Sequence, residues 1–433
     1  MVFFHIKLTG LKANRSKRSI LHAKNNKKGL YHPNSNIFSR KVLFSWKVMT
    51  KVGIVIVLFK ISFFENSFCK NLRANQKQYK SLASEKELLK AYKARGFLAL
   101  YRNRNSEARK FFQMCYSLSP QDAKLCELLA IASLRENDRR GAIFWMHQAH
   151  LIGLARFYQM VKHPFECSNS LQNATCPLLN TSYPVVPLEI DGHFFAFLID
   201  TGASTSIVDK KVAQAVGLKE GCPSELVLSN GKRIQGALST LPILRIGSFA
   251  IKNVPAMLIE KLKPLSSGAP NSFHGVLGTD LLSRFNILID YQTKKIVISK
   301  RAMEQGATFL SGSKLLAEIP FLFSPQGLLL LKGSLQSKEV FFIYDTGFGG
   351  YPLEFNQKYR NMFFGFSVPA RSSLIFGPVA IKKISETFSQ LPLTLEEREE
   401  IPIGGIIGNR LFSRYKVLLN FSKMVVQLYD QKN

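Results

Sequence analysis

Two identical tripeptides, Asp200-Thr201-Gly202 and Asp345-Thr346-Gly347, each follow an apolar run that reads as a β-strand. A carboxylate at the end of a strand is a candidate acid or base, and two held side by side do more. Carboxylates about 3 Å apart cannot both ionise, so they share a proton and titrate as a pair. The ionised member takes a proton from a bound water while the neutral member donates to a carbonyl oxygen, with no covalent intermediate. One such tripeptide is weak evidence, since chance supplies it about once in ten chains of this length. The case rests on what flanks the two copies.

Both are entered through hairpins. Val185 to Ile190, an Asp191-Gly192 turn and Phe194 to Ile199 lead into Asp200, and Leu328 to Leu331 followed by Val340 to Tyr344 leads into Asp345. Downstream lie Gly275-Val-Leu-Gly278-Thr-Asp-Leu-Leu-Ser-Arg-Phe-Asn-Ile-Leu-Ile-Asp290 and Gly405-Ile-Ile-Gly408-Asn-Arg-Leu-Phe-Ser-Arg-Tyr-Lys-Val-Leu-Leu-Asn420. At a constant offset of 130 both glycines, Leu281/Leu411, Ser283/Ser413, Arg284/Arg414 and Leu288/Leu418 are identical. That is an internal duplication.

With these motifs, residues from about 183 to 433 resemble the retropepsin-like and pepsin-like aspartic proteases, whose unit is a β lobe with an Asp-Thr-Gly loop near its start and a hydrophobic-hydrophobic-Gly segment near its end. Val276-Leu277-Gly278 and Ile406-Ile407-Gly408 occupy the second place. The resemblance implies two tandem β-barrel lobes, 183–302 and 312–433, forming a bilobal acid-protease fold. It also implies an aspartic endopeptidase acting on polypeptides, with Asp200 and Asp345 catalytic and no cofactor or metal. Thr201 and Thr346 are then expected to hydrogen-bond across the lobe interface, Gly202 and Gly347 to let backbone N–H groups approach the carboxylates, and Ser204 to support its loop. The retroviral members pair two copies; this chain carries both loops itself.

A flap over the cleft is expected at the Asn230-Gly231 turn of Leu226 to Ile234, and a second at Phe376-Gly377 within Leu374 to Pro378. One departure stands out. The first loop continues Ala203-Ser204, the second Phe348-Gly349, bulkier and with no hydroxyl. If the second lobe is degenerate, the alternatives are a homodimer of first lobes or a non-catalytic peptide-binding or assembly protein. A Phe348 ring in the cleft favours binding, and one turned into the lobe leaves the pair intact.

The elements before the lobes differ in kind. Residues 80–160 are rich in Ala, Leu, Lys and Glu and repeat with a period of 34: Tyr92, Gly96, Ala108, Phe112 and Pro120, then Leu129, Ala130, Ala142 and Ala149. Small residues are needed where two helices of a hairpin cross, and Pro ends the second helix. This resembles a pair of tetratricopeptide repeats, expected to dock on the first lobe or to hold a protein partner. Residues 161–182 read as a linker with two glycosylation sequons, Asn173-Ala-Thr175 and Asn180-Thr-Ser182, and with Cys167 and Cys176 either paired in an oxidising compartment or free.

The net charge of +30 is uneven: residues 1–48 hold 11 Lys/Arg and no Asp or Glu, whereas residues 166–433 hold 28 against 21. The excess suits anionic lipid or another acidic partner as well as nucleic acid, and no nucleic-acid partner is expected. Residues 49–69 contain an apolar stretch, Val52 to Phe64, that includes Lys60. It is shorter than the roughly 20 residues that span a bilayer and matches a signal peptide, or a signal anchor if translation starts at Met1. The lobes are therefore expected outside the cytoplasm, exported or membrane-anchored. There is no Gly-x-Ser-x-Gly, His-Glu-x-x-His or Walker loop. The overall expectation is a multidomain chain, mainly β in its C-terminal half, with an α-helical repeat module before it.

Overall fold

The computed structural model describes residues 5–7 and 84–431, apart from 162–164, 168–171, 229–231, 263–272, 301–302, 304–307, 336, 350, 362–372, 383–387 and 390–400. The chain divides into two compact units, Thr9–Ala83 and Met1–Leu8 with Ser84–Asn433. The first, with the apolar stretch Val52 to Phe64, lies outside the described residues, as do Asn230 and Gly231. Among the described residues no helix is long and apolar enough to cross a membrane.

Five helices open the second unit: α1 Glu85–Tyr101, α2 Asn105–Leu118, α3 Ala123–Arg135, α4 Arg139–Gln148 and α5 Ile152–Met160. The period read from the sequence has a local cause. Asn103 and Asn137, 34 residues apart, both adopt left-handed backbone, at φ 55° and 60°, and each turns the chain between two helices of a hairpin. Asp122 and Asp138 cap the helices after them, accepting from Leu125 N at 3.1 Å and Gly141 N at 2.9 Å. The small residues sit at crossings: Ala108 and Ala142 are fully buried, and the Phe112 ring lies against Gly96.

The C-terminal region is mainly β. Six strands close into a barrel in the order Arg233–Ile246, Val185–Ile190, His193–Ile199, Gly275–Leu277, Ile207–Asp209 and Phe249–Ile259, the last pairing back onto the first. The entering hairpin turns at Asp191 and Gly192, both at positive φ (49° and 79°), a turn whose twist matches that of the strands. Strand residues alternate between two faces. Phe197, Ile199, Val208 and Leu277 join the main core, while Leu198, Ile207 and Val276 join a separate cluster with Ala203 on the opposite face.

The second half parts from the expectation of another barrel. Leu329–Leu335 and Lys338–Asp345 form the hairpin, longer at both strands than the sequence suggested, and Ile403–Gly408 runs parallel to the latter. Among the described residues these strands form an open sheet, with the short hairpin Ser373–Phe376/Val379–Lys382 where the first half has long closing strands.

The two halves join through six antiparallel strands: Asn173–Pro177, Lys295–Ser299, Asn286–Asp290, Lys416–Asn420, Val425–Tyr429 and Leu315–Phe323. At the junction Leu288 pairs directly with Leu418, its duplicate at the offset of 130, and Lys416 Nζ reaches Asp290 Oδ2 at 3.4 Å. Part of the expected linker is thus a strand. Ala174 and Cys176 alternate inward as the outermost strand of this sheet, so burial of one face outweighs the polar sequence. Cys167 and Cys176 are both free.

The helices dock on this region. Arg284 Nη2 donates to Leu134 O at 3.4 Å with its guanidinium 4.4 Å from the Phe165 ring centroid, and Arg135 lies 4.1 Å over Phe323. Phe157 and Val161 enter the apolar cluster that contains Ala203.

Leu418 is fully buried where the halves meet. Leu418→Ala is expected to destabilise the protein by about 2–5 kcal/mol in denaturant unfolding, with a surface change such as Lys423→Ala within about 0.5 kcal/mol.

Candidate active site

Asp200 directly follows the strand His193–Ile199, and its N–H donates to Leu277 O at 3.1 Å. Asp345 ends Lys338–Asp345 and pairs with Gly408 in the parallel ladder. Both loops then turn alike: Ala203 N donates to Asp200 O at 3.3 Å and Phe348 N to Asp345 O at 3.1 Å. The next segment closes each from outside, through Thr279 N to Ala203 O at 2.8 Å and Asn409 N to Phe348 O at 3.1 Å.

The two loops are held face to face by their threonines. Thr201 Oγ1 donates to Tyr344 O at 2.7 Å and accepts from Thr346 N at 3.0 Å; Thr346 Oγ1 donates to Ile199 O at 2.7 Å and accepts from Thr201 N at 3.0 Å. Tyr344 and Ile199 immediately precede the two aspartates, so each hydroxyl fixes the strand end that carries the opposite carboxylate. Both threonines are fully buried, so losing either hydroxyl leaves buried groups without partners.

This close approach requires glycine. A Cβ on Gly347 would stand 2.5 Å from Asp200 Cγ, and one on Gly202 would collide with the Asp345 carboxylate. Gly202 N donates to Asp200 Oδ1 at 2.8 Å.

Asp200 and Asp345 are 3% and 1% exposed and hydrogen-bond to one another. Burial, then the charge of Asp345, then that mutual bond push Asp200 well above the ordinary carboxylate value. Burial raises Asp345 too, while the bond from Asp200 works the other way. The pair therefore keeps one shared proton to higher pH than a free carboxylate would. Asp345 Oδ1 is buried with no hydrogen-bond partner.

Phe348 is 4% exposed, with its ring against Gly408. Gly349 has a cause outside its own loop: the ring of Tyr183, arriving just before the first hairpin, occupies the space a side chain would need. Asn409, at the position of Thr279 in the duplication, donates to Ser182 O at 3.2 Å and to Thr181 O at 3.4 Å and accepts from the Tyr291 hydroxyl.

The flanking expectations fare unevenly. Ser204 lines a cavity beside the loop, and Ser206 braces the first loop: its Oγ accepts from Gly278 N at 3.1 Å and donates to Asp280 Oδ1 at 2.8 Å, while Ser206 N also donates to Asp280. Neither Ser206 nor Asp280 stood out in sequence, since no local pattern links residues 74 positions apart. The first flap strands are paired, with Leu226 opposite Ile234, but Asn230 and Gly231 lie outside the described residues. Phe376 corrects the second flap expectation. It is fully buried between the Phe342 and Phe412 rings (5.5 and 6.4 Å), so it is a core residue, and Gly377, at φ 53°, forms the turn with Pro378. Among the described residues no three His, Cys, Asp or Glu side chains converge as a metal site would need.

Residues 186–281, which span most of the barrel and the first loop, match the model of the aspartyl protease family. No curated protein matches the chain.

Thr201→Val is expected to destabilise the fold by about 2–3 kcal/mol, and Thr201→Ser by less than half of that, in denaturant unfolding. A pH prediction attaches to Asp280, which burial pushes up to about 6 against its bonds from Ser206 and Leu281 N and the charge of Arg284. Between its ordinary value of 3.8 and about 6 the folded protein binds more protons here than the unfolded chain, so this contribution to stability falls as pH rises through that window. Asp280→Asn should flatten the slope, read as melting temperature against pH.

Proposed function

We propose, from the premise of an aspartyl protease domain over residues 186–281, that this chain is an aspartic endopeptidase in which Asp200 and Asp345 act together within one molecule. The observation that carries the reading is the reciprocal bonding of Thr201 and Thr346. It brings two buried carboxylates into contact, and such a pair can be singly ionised near neutrality. In this reading a water lies between the carboxylates, with Asp345 Oδ1 as an acceptor left for it. The ionised carboxylate takes its proton, hydroxide adds to the scissile carbonyl carbon, and the shared proton passes to the carbonyl oxygen. Collapse of the diol transfers a proton to the leaving nitrogen and breaks the C–N bond.

The second half acts as a full partner despite Phe348-Gly349. Its support is the matching backbone: Phe348 makes the bonds that Ala203 makes, its ring is buried against Gly408, and Gly349 accommodates Tyr183. The helices are read as a repeat module fixed to the protease region. The stretch Val52 to Phe64 supports an exported or membrane-held protein with these lobes outside the cytoplasm.

The test is cleavage of an unstructured protein mixture by wild type, Asp200→Asn and Asp345→Asn across acid to neutral pH. Both variants should lose at least about a hundredfold in rate. The wild-type profile should be bell-shaped, with its acid limb above the ordinary carboxylate value because both groups are raised. Loss with Asp200→Asn alone would indicate a homodimer of first halves. No cleavage by wild type at any pH would leave a peptide-binding protein.

A further inference from the structure

Between the helices and the barrel lies a cavity of about 840 Å³. One side is built from the residues that directly continue the first loop, Ser204 and Thr205, with Thr279 behind them. The other is the inner face of the helical module, including Ile131, Leu134 and Phe157. The cavity is thus continuous with the loop that carries Asp200, and nothing in the barrel's own chemistry requires it. Its volume lies within the roughly 300–1,000 Å³ typical of ligand sites, room for a few residues of extended peptide.

Its chemistry favours one kind of occupant. The wall is largely apolar, with four basic side chains, Lys124, Arg135, Arg139 and Arg284, against two acidic ones, Glu127 and Asp280. Lys124 pairs with Glu127 at 3.1 Å, and Arg284 faces Asp280. Arg139 bonds a backbone carbonyl, Tyr158 O at 3.4 Å, and Arg135 bonds Leu100 O at 3.2 Å. Arg139 therefore brings a positive charge to this edge, held in place by its bond to Tyr158 O. Helix α5, whose Phe157 lines the cavity, also packs on the strand Cys222–Val227.

We propose that this cavity is a substrate exosite. It receives a segment of the substrate polypeptide flanking the scissile bond, with apolar side chains on Leu134 and Phe157 and an acidic side chain at the Arg135–Arg139 edge. The proposal rests on the protease reading and adds to it a preference for long substrates with an acidic, apolar flank.

The test uses the full chain and two fluorogenic peptides sharing one cleaved core, one short and one extended by an acidic, apolar flank on either side. Wild type should prefer the extended peptide by about tenfold or more in kcat/KM, chiefly through KM. Arg139→Glu should reduce that preference about tenfold, and a lysine-for-glutamate flank should restore it to Arg139→Glu. Equal use of both peptides by wild type, or a preference that Arg139→Glu leaves intact, would overturn the exosite while the protease reading stands. Binding of the labelled extended peptide to Asp200→Asn, followed by anisotropy, separates the two ideas. Tight binding weakened by Arg139→Glu supports the exosite even if wild type cuts nothing. A flat signal overturns it.

Discussion

Each of two buried threonine hydroxyls is bonded to the strand end that carries the other threonine's aspartate. This reciprocity is the constraint on which the rest of the structure depends. A buried hydroxyl that both donates and accepts has its geometry set at both ends. Here those ends belong to two halves of the chain, so neither loop can move without unpairing groups in the other. The glycines follow from the same constraint, since backbones this close leave no space for a Cβ beside the facing carboxylate.

Holding two carboxylates together in a dry place is unfavourable, and the surrounding fold supplies what offsets it. The central sheet pairs the halves through Leu288 and Leu418 within one continuous apolar core. Asn409 and Tyr183 fasten the second loop to segments entering the first half. Burial raises both carboxylates, so the pair keeps a proton to higher pH than a free carboxylate would. The Asp280–Ser206 bonds do similar work behind the first loop alone, because the duplicate of Asp280 is Arg410. The halves are therefore alike where they face each other and different where they face outward. The first carries the closed barrel and the docked helices, the second an open sheet among the described residues.

Much of this was legible in the chain. Both tripeptides, the apolar strands before them and the duplication at 130 are local patterns, and backbone physics turns each into an element: a period of two makes a strand, and Asp-Gly turns a hairpin. The offset also marked Leu288 and Leu418 as equivalent positions, though that they pair between the halves is a feature of the fold.

Only the tertiary structure decided the rest, because it depends on contacts between residues far apart in sequence. Phe376 reads as a hairpin tip, yet it lies between Phe342 and Phe412. Asn173–Pro177 reads as a polar linker and becomes a strand because Lys295–Ser299 offers an edge with a buried face beside it. Gly349 looks like degeneration until Tyr183 is found in the space it leaves. The cavity is written in no single segment, since its walls come from helices and barrel strands that local pattern builds separately and only packing brings together. Periodicity and turn chemistry specify elements from within a few residues, whereas the close approach of two loops or two walls is decided by the whole core at once.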